Sequence, residues 1–203
     1  MSLVFYYAPM STAETVNWAL AELEIPHEKV VIDLKARDQD KRGYRALDPN
    51  GRVPLVVHDG VPIFESAAIL IHLGETFGVD RGLFPAPGLE RALALKWLVW
   101  TNVTLGAAVG RFLEKAFGPP EQKDGEAVGL ARAEVERLFG ILEAELAKTP
   151  YVAGETFSLV DVHLGGFVYW IASLGFDLTR WPSIAAWQAR CTSRPGHARA
   201  LAS

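Results

Sequence analysis

VPLVVHDGVPIFES, Val53 to Ser66, sets two apolar, largely β-branched runs on either side of His58-Asp59-Gly60, the punctuation of a hairpin. Pro54 heads the first run. A proline cannot donate to a ladder, so it takes the first strand position or an edge and leaves the backbone around Val53 free to pair with a group outside the sheet. The second run ends in Phe64-Glu65-Ser66 and passes into the apolar stretch 67–73, so a strand delivers a carboxylate and a hydroxyl to the start of a helix. Such a helix start suits an anion.

Working outward, Leu3 to Tyr7 reads as a short strand stopped by Ala8-Pro9. A helical pattern follows from about Ala13 to Leu23, and Lys29 to Asp33 is a second strand after Ile25-Pro26. No glycine fingerprint follows the first strand, which argues against a dinucleotide fold. The polar segment from Ala36 to Tyr44 reads as loop or frayed helix, and the order is βαβ then ββα. GVDRGLFPAPG, Gly78 to Gly88, is a linker by its prolines and glycines, and strand signals vanish beyond it. A long apolar helix is expected from Leu89 to about Phe117. Glu126 to Lys148 places Val128, Ala131, Val135, Leu138, Leu142 and Leu146 on one helical face. Ser158-Leu-Val-Asp161 has the spacing of a capping box, with Phe157 as a hydrophobic staple on Val162, and opens a buried helix. A last helix runs from Ser183 to about Ser193 and ends before Arg194-Pro195. Two domains are predicted: an α/β domain over 1–78 and an all-α domain over 89–203.

The chain has 203 residues, half of them apolar, and a formal charge of -4, which is not basic enough for nucleic acid. A single cysteine, Cys191, excludes an internal disulfide and points to a reducing compartment, so the cytoplasm is the expected location. The N-terminal segment lacks the charged and apolar regions of a signal peptide. Val162 to Phe176 is shorter than a bilayer span and reads as a core helix, so no membrane partner is expected. His27, His58, His72, His163 and His197 show no ligand spacing, and no metal is expected.

Three strings, taken together, resemble the soluble, cytosolic-type glutathione S-transferase family, in a bacterial, theta-, delta- or beta-like form. They are Asp48-Pro-Asn-Gly-Arg-Val-Pro54-Leu-Val with Glu65-Ser66 beyond it; Val152-Ala-Gly154-Glu-Thr-Phe-Ser158-Leu-Val-Asp161; and Tyr6-Tyr-Ala-Pro9-Met-Ser11-Thr12. The resemblance spans the whole chain. It implies a thioredoxin-like first domain in which Pro54 is cis and Val53 offers its backbone to the cysteinyl unit of glutathione. It further implies that Glu65 and Ser66 hold the γ-glutamyl end. Lys35, Arg37 and Arg52 are the cations within reach of the glycyl carboxylate, with a solvated loop charge as the local alternative for each. Ser11 is the first candidate for thiolate donor, Thr12 the second and Tyr7 the third. A cysteine stands at the position of Thr12 in beta-type members, and its absence here favours conjugation over a thiol-reductase mechanism. Met10, Trp100, Thr104, Ala108 and Phe112 are the candidate walls of the electrophile pocket.

The resemblance therefore implies a homodimeric enzyme that joins the glutathione thiolate to small hydrophobic electrophiles in detoxification, with glutathione as co-substrate and no other cofactor. Isomerisation, dehalogenation or ether cleavage would use the same glutathione site. A ligand-binding or regulatory protein on the same fold is the alternative from a different class. Each residue also has a purely local role open to it: Ser66 as an N-cap, Glu65 as a solvated acid, Pro54 as an edge proline, Ser11 and Thr12 as caps of the first helix, Tyr7 as a core aromatic, Trp97 and Trp100 as helix core, and Cys191 as a small apolar residue. Ser158 and Asp161 belong to folding alone.

Overall fold

The computed structural model describes residues 1–119 and 124–202. β1 (Leu3–Tyr7) buries Leu3, Phe5 and Tyr7 on one face and lies at the centre of a four-stranded sheet. It pairs in parallel with β2 (Glu28–Val31) and antiparallel with β3 (Leu55–His58), and β4 (Val61–Phe64) closes the order β2-β1-β3-β4. Asp59 and Gly60 both have positive φ, 47° and 83°, which is what a two-residue hairpin turn needs to match strand twist. Pro62 is accommodated because β4 is an edge strand.

The inward face of β1 packs on α1 (Ala13–Leu23) and α3 (Ser66–Leu73) through Phe5, Val16, Leu20 and Leu70. The other face carries a smaller cluster of Ile32, Tyr44 and Leu55. Tyr44 sits in α2 (Arg42–Arg45), so the polar stretch expected as loop or frayed helix contains one short helical turn, pinned by its one buried aromatic. After α3 the chain continues through a π-type turn, Gly74–Gly78, and the linker is anchored rather than loose. Phe84 lies against Gly74 so closely that a Cβ there would come within 2.5 Å of its ring.

The helical part begins with one continuous run: α4 (Leu89–Val99), a π-type stretch (Trp100–Gly106) and α5 (Ala107–Phe117). By length and composition this run is apolar enough to cross a membrane. One side of it is buried, with Leu98, Leu105, Val109 and Phe112 inside, and the other carries Lys96 and Arg111 together with the exposed apolar residues Leu93, Val99 and Val103. α6 (Gly125–Leu146) is capped by Asp124, whose Oδ1 accepts from the Glu126 amide at 2.9 Å. α7 (Leu159–Ser173) is the buried centre of the domain, and the Ser158/Asp161 capping box starts it. Gly165 and Gly166 let α1 close onto α7: a Cβ on Gly166 would meet Thr15 Cγ2 at 2.6 Å.

α8 (Pro182–Thr192) ends as expected before Arg194-Pro195, but the chain is helical again over α9 (Pro195–Leu201). A proline stops one helix and is equally at home in the first turn of the next, and only the first role is considered above. α9 packs back on α1. Asn17 donates to the Ala200 carbonyl at 2.8 Å, and Arg194 pairs with the buried Glu22 carboxylate at 2.9 Å.

Candidate active site

The loop that leads into β3 is built by Asp48, which is buried and accepts from the amides of Asn50 at 2.9 Å and Arg52 at 2.8 Å. The Tyr44 hydroxyl donates to the Arg52 carbonyl. Held from both sides, the loop presents the Val53–Pro54 peptide, which is cis, to a cleft of about 400 Å³. Asn50, Arg52, Val53, Pro54, Phe64, Glu65 and Ser66 form one wall of that cleft. Asn102, Val103, Gly106 and Gly110 form the opposite wall, and Thr12, Phe167 and Trp170 lie at its end.

Glu65 is exposed and stands at φ 70°, ψ 117°, outside the regions that residues with a Cβ normally occupy. It precedes α3 without capping it through its side chain. Ser66, the first residue of α3, is buried, and its hydroxyl does not cap either: it accepts from Asn102 Nδ2 at 3.1 Å. The cleft thus has a carboxylate with no ion pair among the described residues, beside a hydroxyl and the amides of a helix start, an arrangement matched to a zwitterion.

A second cleft, about 510 Å³ and mainly apolar, adjoins the first. Met10, Trp18, Tyr169, Leu174 and Leu201 line it, and His197 of α9 is edge-on to Trp18. The two clefts share Thr12, Phe167 and Trp170.

Of the three candidates at the first helix, Ser11 and Thr12 both line the apolar cleft and Tyr7 stands apart. Ser11 Oγ donates to the Ala8 carbonyl at 2.7 Å and accepts from the Ala13 amide at 3.1 Å, so its hydroxyl is engaged in the turn. Thr12 is exposed at the seam of the clefts and makes one long hydrogen bond, 3.3 Å, to the Val53 carbonyl. Tyr7 lines neither cleft; its hydroxyl donates to Glu14 Oε1 at 2.6 Å, and burial together with that carboxylate pushes its pKa up. Glu14 also accepts from the Met10 amide at 3.2 Å and so holds the positive-φ turn at Met10, whose side chain is 93% exposed.

Of the other expected wall residues, Met10 lies on the apolar cleft, whereas Trp100, Thr104, Ala108 and Phe112 line neither. Ala108 and Phe112 are core, with Phe112 packed on Phe176, and Trp100 lies edge-on to Trp97. The cleft-facing set is 102, 103, 106 and 110, with the same spacing of four as the expected 100, 104, 108 and 112 but two positions out of phase with it. Arg37 is paired with Asp40 at 2.7 Å, and Cys191 is buried with its thiol pushed up by burial.

Asn102 and the residue behind it, His163, are absent from the candidates above. His163 is fully buried in α7, and its Nε2 lies 2.7 Å from Asn102 Oδ1. Burial drives its pKa down to about 3. Its folded-state value lies below the unfolded one near 6.5, so its contribution to stability is complete above that pH and is lost as pH falls toward 3. Between pH 6.5 and 5 the loss is about 1.6 kcal/mol, because the slope approaches roughly 1.4 kcal/mol per unit only below the unfolded value. Urea unfolding at both pH values measures it, and a His163→Phe chain should lack that component of the acid dependence. An equal dependence in the variant would contradict this.

Comparison with known proteins gives a consistent result. Residues 1–75 match the model of the glutathione S-transferase N-terminal domain and residues 109–195 that of the C-terminal domain. The chain is 33% identical over 188 residues to the glutathione S-transferase GstB of Escherichia coli, covering 91% of this chain and 90% of that protein. It is 29% identical to the disulfide-bond oxidoreductase YfcG of the same organism, over 97% of this chain and 93% of the relative. A crystal structure of a glutathione transferase from Burkholderia graminis, with two glutathione molecules bound per subunit, superposes with a TM-score of 0.89 at 26% identity, over 100% of this chain and 88% of that one.

Proposed function

The chain belongs to the soluble glutathione S-transferase family of enzymes, and from that premise we propose that it joins the glutathione thiolate to small hydrophobic electrophiles. The observation that carries this reading is the seam: a polar, zwitterion-matched cleft and an apolar cleft meet at Thr12, Phe167 and Trp170. In this reading the Val53 backbone pairs with the cysteinyl unit, Glu65 takes the ammonium, and Ser66 with the α3 amides takes the α-carboxylate. Arg52 meets the glycyl carboxylate. The sulfur then faces Thr12, and the electrophile lies among Met10, Trp18, Phe167 and Trp170. The thiolate attacks, a thioether bond forms, the leaving group departs with the bonding pair, and the thiol proton goes to solvent.

Only the thiolate is nucleophilic. Lowering a thiol from about 8.5 by two units takes about 2.7 kcal/mol, within reach of one hydroxyl donor and a helix start. Thr12 is the proposed donor, because the Ser11 hydroxyl is already committed to Ala8. Thr12→Val should raise the pH at which bound thiolate appears in the ultraviolet by about one unit or more, on the scale of a hydrogen bond to a charged group. Ser11→Ala should leave that pH in place. The reverse pattern would return the role to Ser11.

The resemblance to YfcG raises disulfide chemistry as a second reading. Cys191 is buried in α8, so electrons for such a reaction would come from glutathione thiols. Calorimetric titration with glutathione, followed by turnover of chlorodinitrobenzene and of a small disulfide, separates the cases. Binding with conjugation supports the transferase reading, disulfide turnover alone supports the second, and binding without either makes the chain a carrier.

A cytoplasmic, detoxifying homodimer is part of the same proposal. Val61 and Phe64 on the edge strand, and Leu89, Leu93, Val99 and Val103 along the α4 run, are exposed apolar residues, of which Phe64 and Val103 line the cleft, and they are candidates for contact with a second copy. Sedimentation should give twice 22.2 kDa, and a monomer would remove the dimer from the proposal.

A further inference from the structure

Behind the polar cleft, three side chains from three elements touch in series. His163 Nε2 of α7 is 2.7 Å from Asn102 Oδ1, and Asn102 Nδ2 is 3.1 Å from Ser66 Oγ at the start of α3. His163 is wholly buried, and Ser66 is buried apart from the face it turns to the cleft. The remaining ring nitrogen, His163 Nδ1, has no hydrogen-bond partner among the described residues.

The direction of the protons follows from that orphan nitrogen. A neutral imidazole carries one N–H. Placed on Nδ1, the proton would be a buried donor with nothing to receive it, the costlier and rarer kind of unpaired group. Placed on Nε2, it is donated to Asn102 Oδ1, and the unpaired atom is only an acceptor. With its oxygen so occupied, Asn102 must turn its amide nitrogen to Ser66, as it does here. The Ser66 oxygen then receives the shorter hydrogen bond, while the reverse contact, Ser66 Oγ donating to Asn102 Oδ1, is stretched to 3.5 Å and holds the serine proton only weakly. So weakly held, that proton is available to a better acceptor in the cleft.

We propose that His163 and Asn102 are positioning residues which set the Ser66 hydroxyl as a committed donor, and thereby select a ligand that carries a carboxylate at that end of the polar cleft. The opposite amide orientation would let Ser66 donate to Asn102 and present only lone pairs to an anion. The inference rests on the glutathione reading above: the carboxylate is the α-carboxylate of the γ-glutamyl unit.

The test uses the full chain and three ligands in a calorimeter. Glutathione and γ-glutamylcysteine both keep the α-carboxylate. The analogue with γ-aminobutyryl in place of γ-glutamyl lacks it and is otherwise glutathione. In His163→Phe, which keeps a buried ring but has no N–H, the first two should each bind about tenfold more weakly than to the parent chain. The third should change by less than twofold. Equal weakening of all three, or no weakening of any, overturns the relay, since a packing role has no reason to distinguish ligands by one carboxylate. If that variant does not fold, Asn102→Leu is read by the same criterion. Failure of the parent chain to bind glutathione overturns both this inference and the transferase reading, whereas normal parent binding with a flat ligand profile overturns the relay alone.

Discussion

Glu65→Gly is expected to weaken glutathione binding by about two orders of magnitude while leaving the chain at least as stable, with a melting temperature about 2–4 °C higher. The loss follows from the proposed contact of the Glu65 carboxylate with the γ-glutamyl ammonium; a hydrogen bond between charged groups contributes up to about 3 kcal/mol. The gain follows from the backbone. At φ 70° and ψ 117° a residue with a Cβ is strained, by roughly 1–3 kcal/mol for such outliers, and glycine is not. Part of that relief is offset by the larger unfolded-state entropy of glycine, by about 0.5–1 kcal/mol, so the net gain is about 1 kcal/mol. For a chain of this length that corresponds to the stated shift. Glu65→Gln separates the two effects: it keeps the strain, removes the charge, and should lower affinity with no change in melting temperature. A lower melting temperature for Glu65→Gly would mean that the conformation is not strained. Unchanged affinity would remove Glu65 from the site.

Strain at Glu65 could not be read from the sequence, although its place could. The hairpin, the proline at its head and the acid-hydroxyl pair before an apolar helix are all local signals, and the strand pairing and the start of α3 follow them. The capping box was equally legible, because its two residues are three apart and answer only to each other. What escaped depends on rotation or on distant partners. The resemblance points to this helix as a wall but not to its face, and in a run apolar on both sides no polar residue marks the phase, so the expected set fell partly on the buried face, with Ala108 and Phe112 on it. Asn102 was visible as a lone amide in that apolar run, and Gly106 and Gly110 as a small-residue pair, yet nothing in the spacing says that they face Ser66 and Phe167. The proposal of Thr12 over Ser11 rests on one carbonyl, that of Ala8, which accepts from the Ser11 hydroxyl at 2.7 Å. The wall supplied by α9 was hidden by a proline that both ends and begins a helix.

The capping box also sets the largest expected loss of stability. Asp161 is completely buried, yet its Oδ1 accepts from the Val152 amide at 3.0 Å and from Trp187 Nε1 at 2.8 Å, and its Oδ2 accepts from the Ser158 amide at 2.9 Å and the Ser158 hydroxyl at 3.2 Å. One carboxylate therefore ties the 150–154 turn, the start of α7 and the middle of α8 together. Asp161→Ala strands an indole N–H and two amides in a dry interior, each at about 1–3 kcal/mol, and the total should reach about 3–5 kcal/mol after relaxation. Against a total stability of about 5–15 kcal/mol that is enough to depopulate the fold on warming. Ser158→Ala removes only the cap hydroxyl and should cost about 1 kcal/mol. Asp161→Asn falls between them, since one of its two terminal atoms can still accept while the other, now an NH₂, opposes a donor. Urea unfolding of the three variants tests the order. A loss below 1 kcal/mol for Asp161→Ala, or a greater loss for Ser158→Ala, would show that the box closes the helix without bearing on α8. The order also bears on function, because α7 carries Phe167 and Trp170 into the two clefts and His163 to its place behind Asn102: the turn that starts the helix fixes how far each of them reaches.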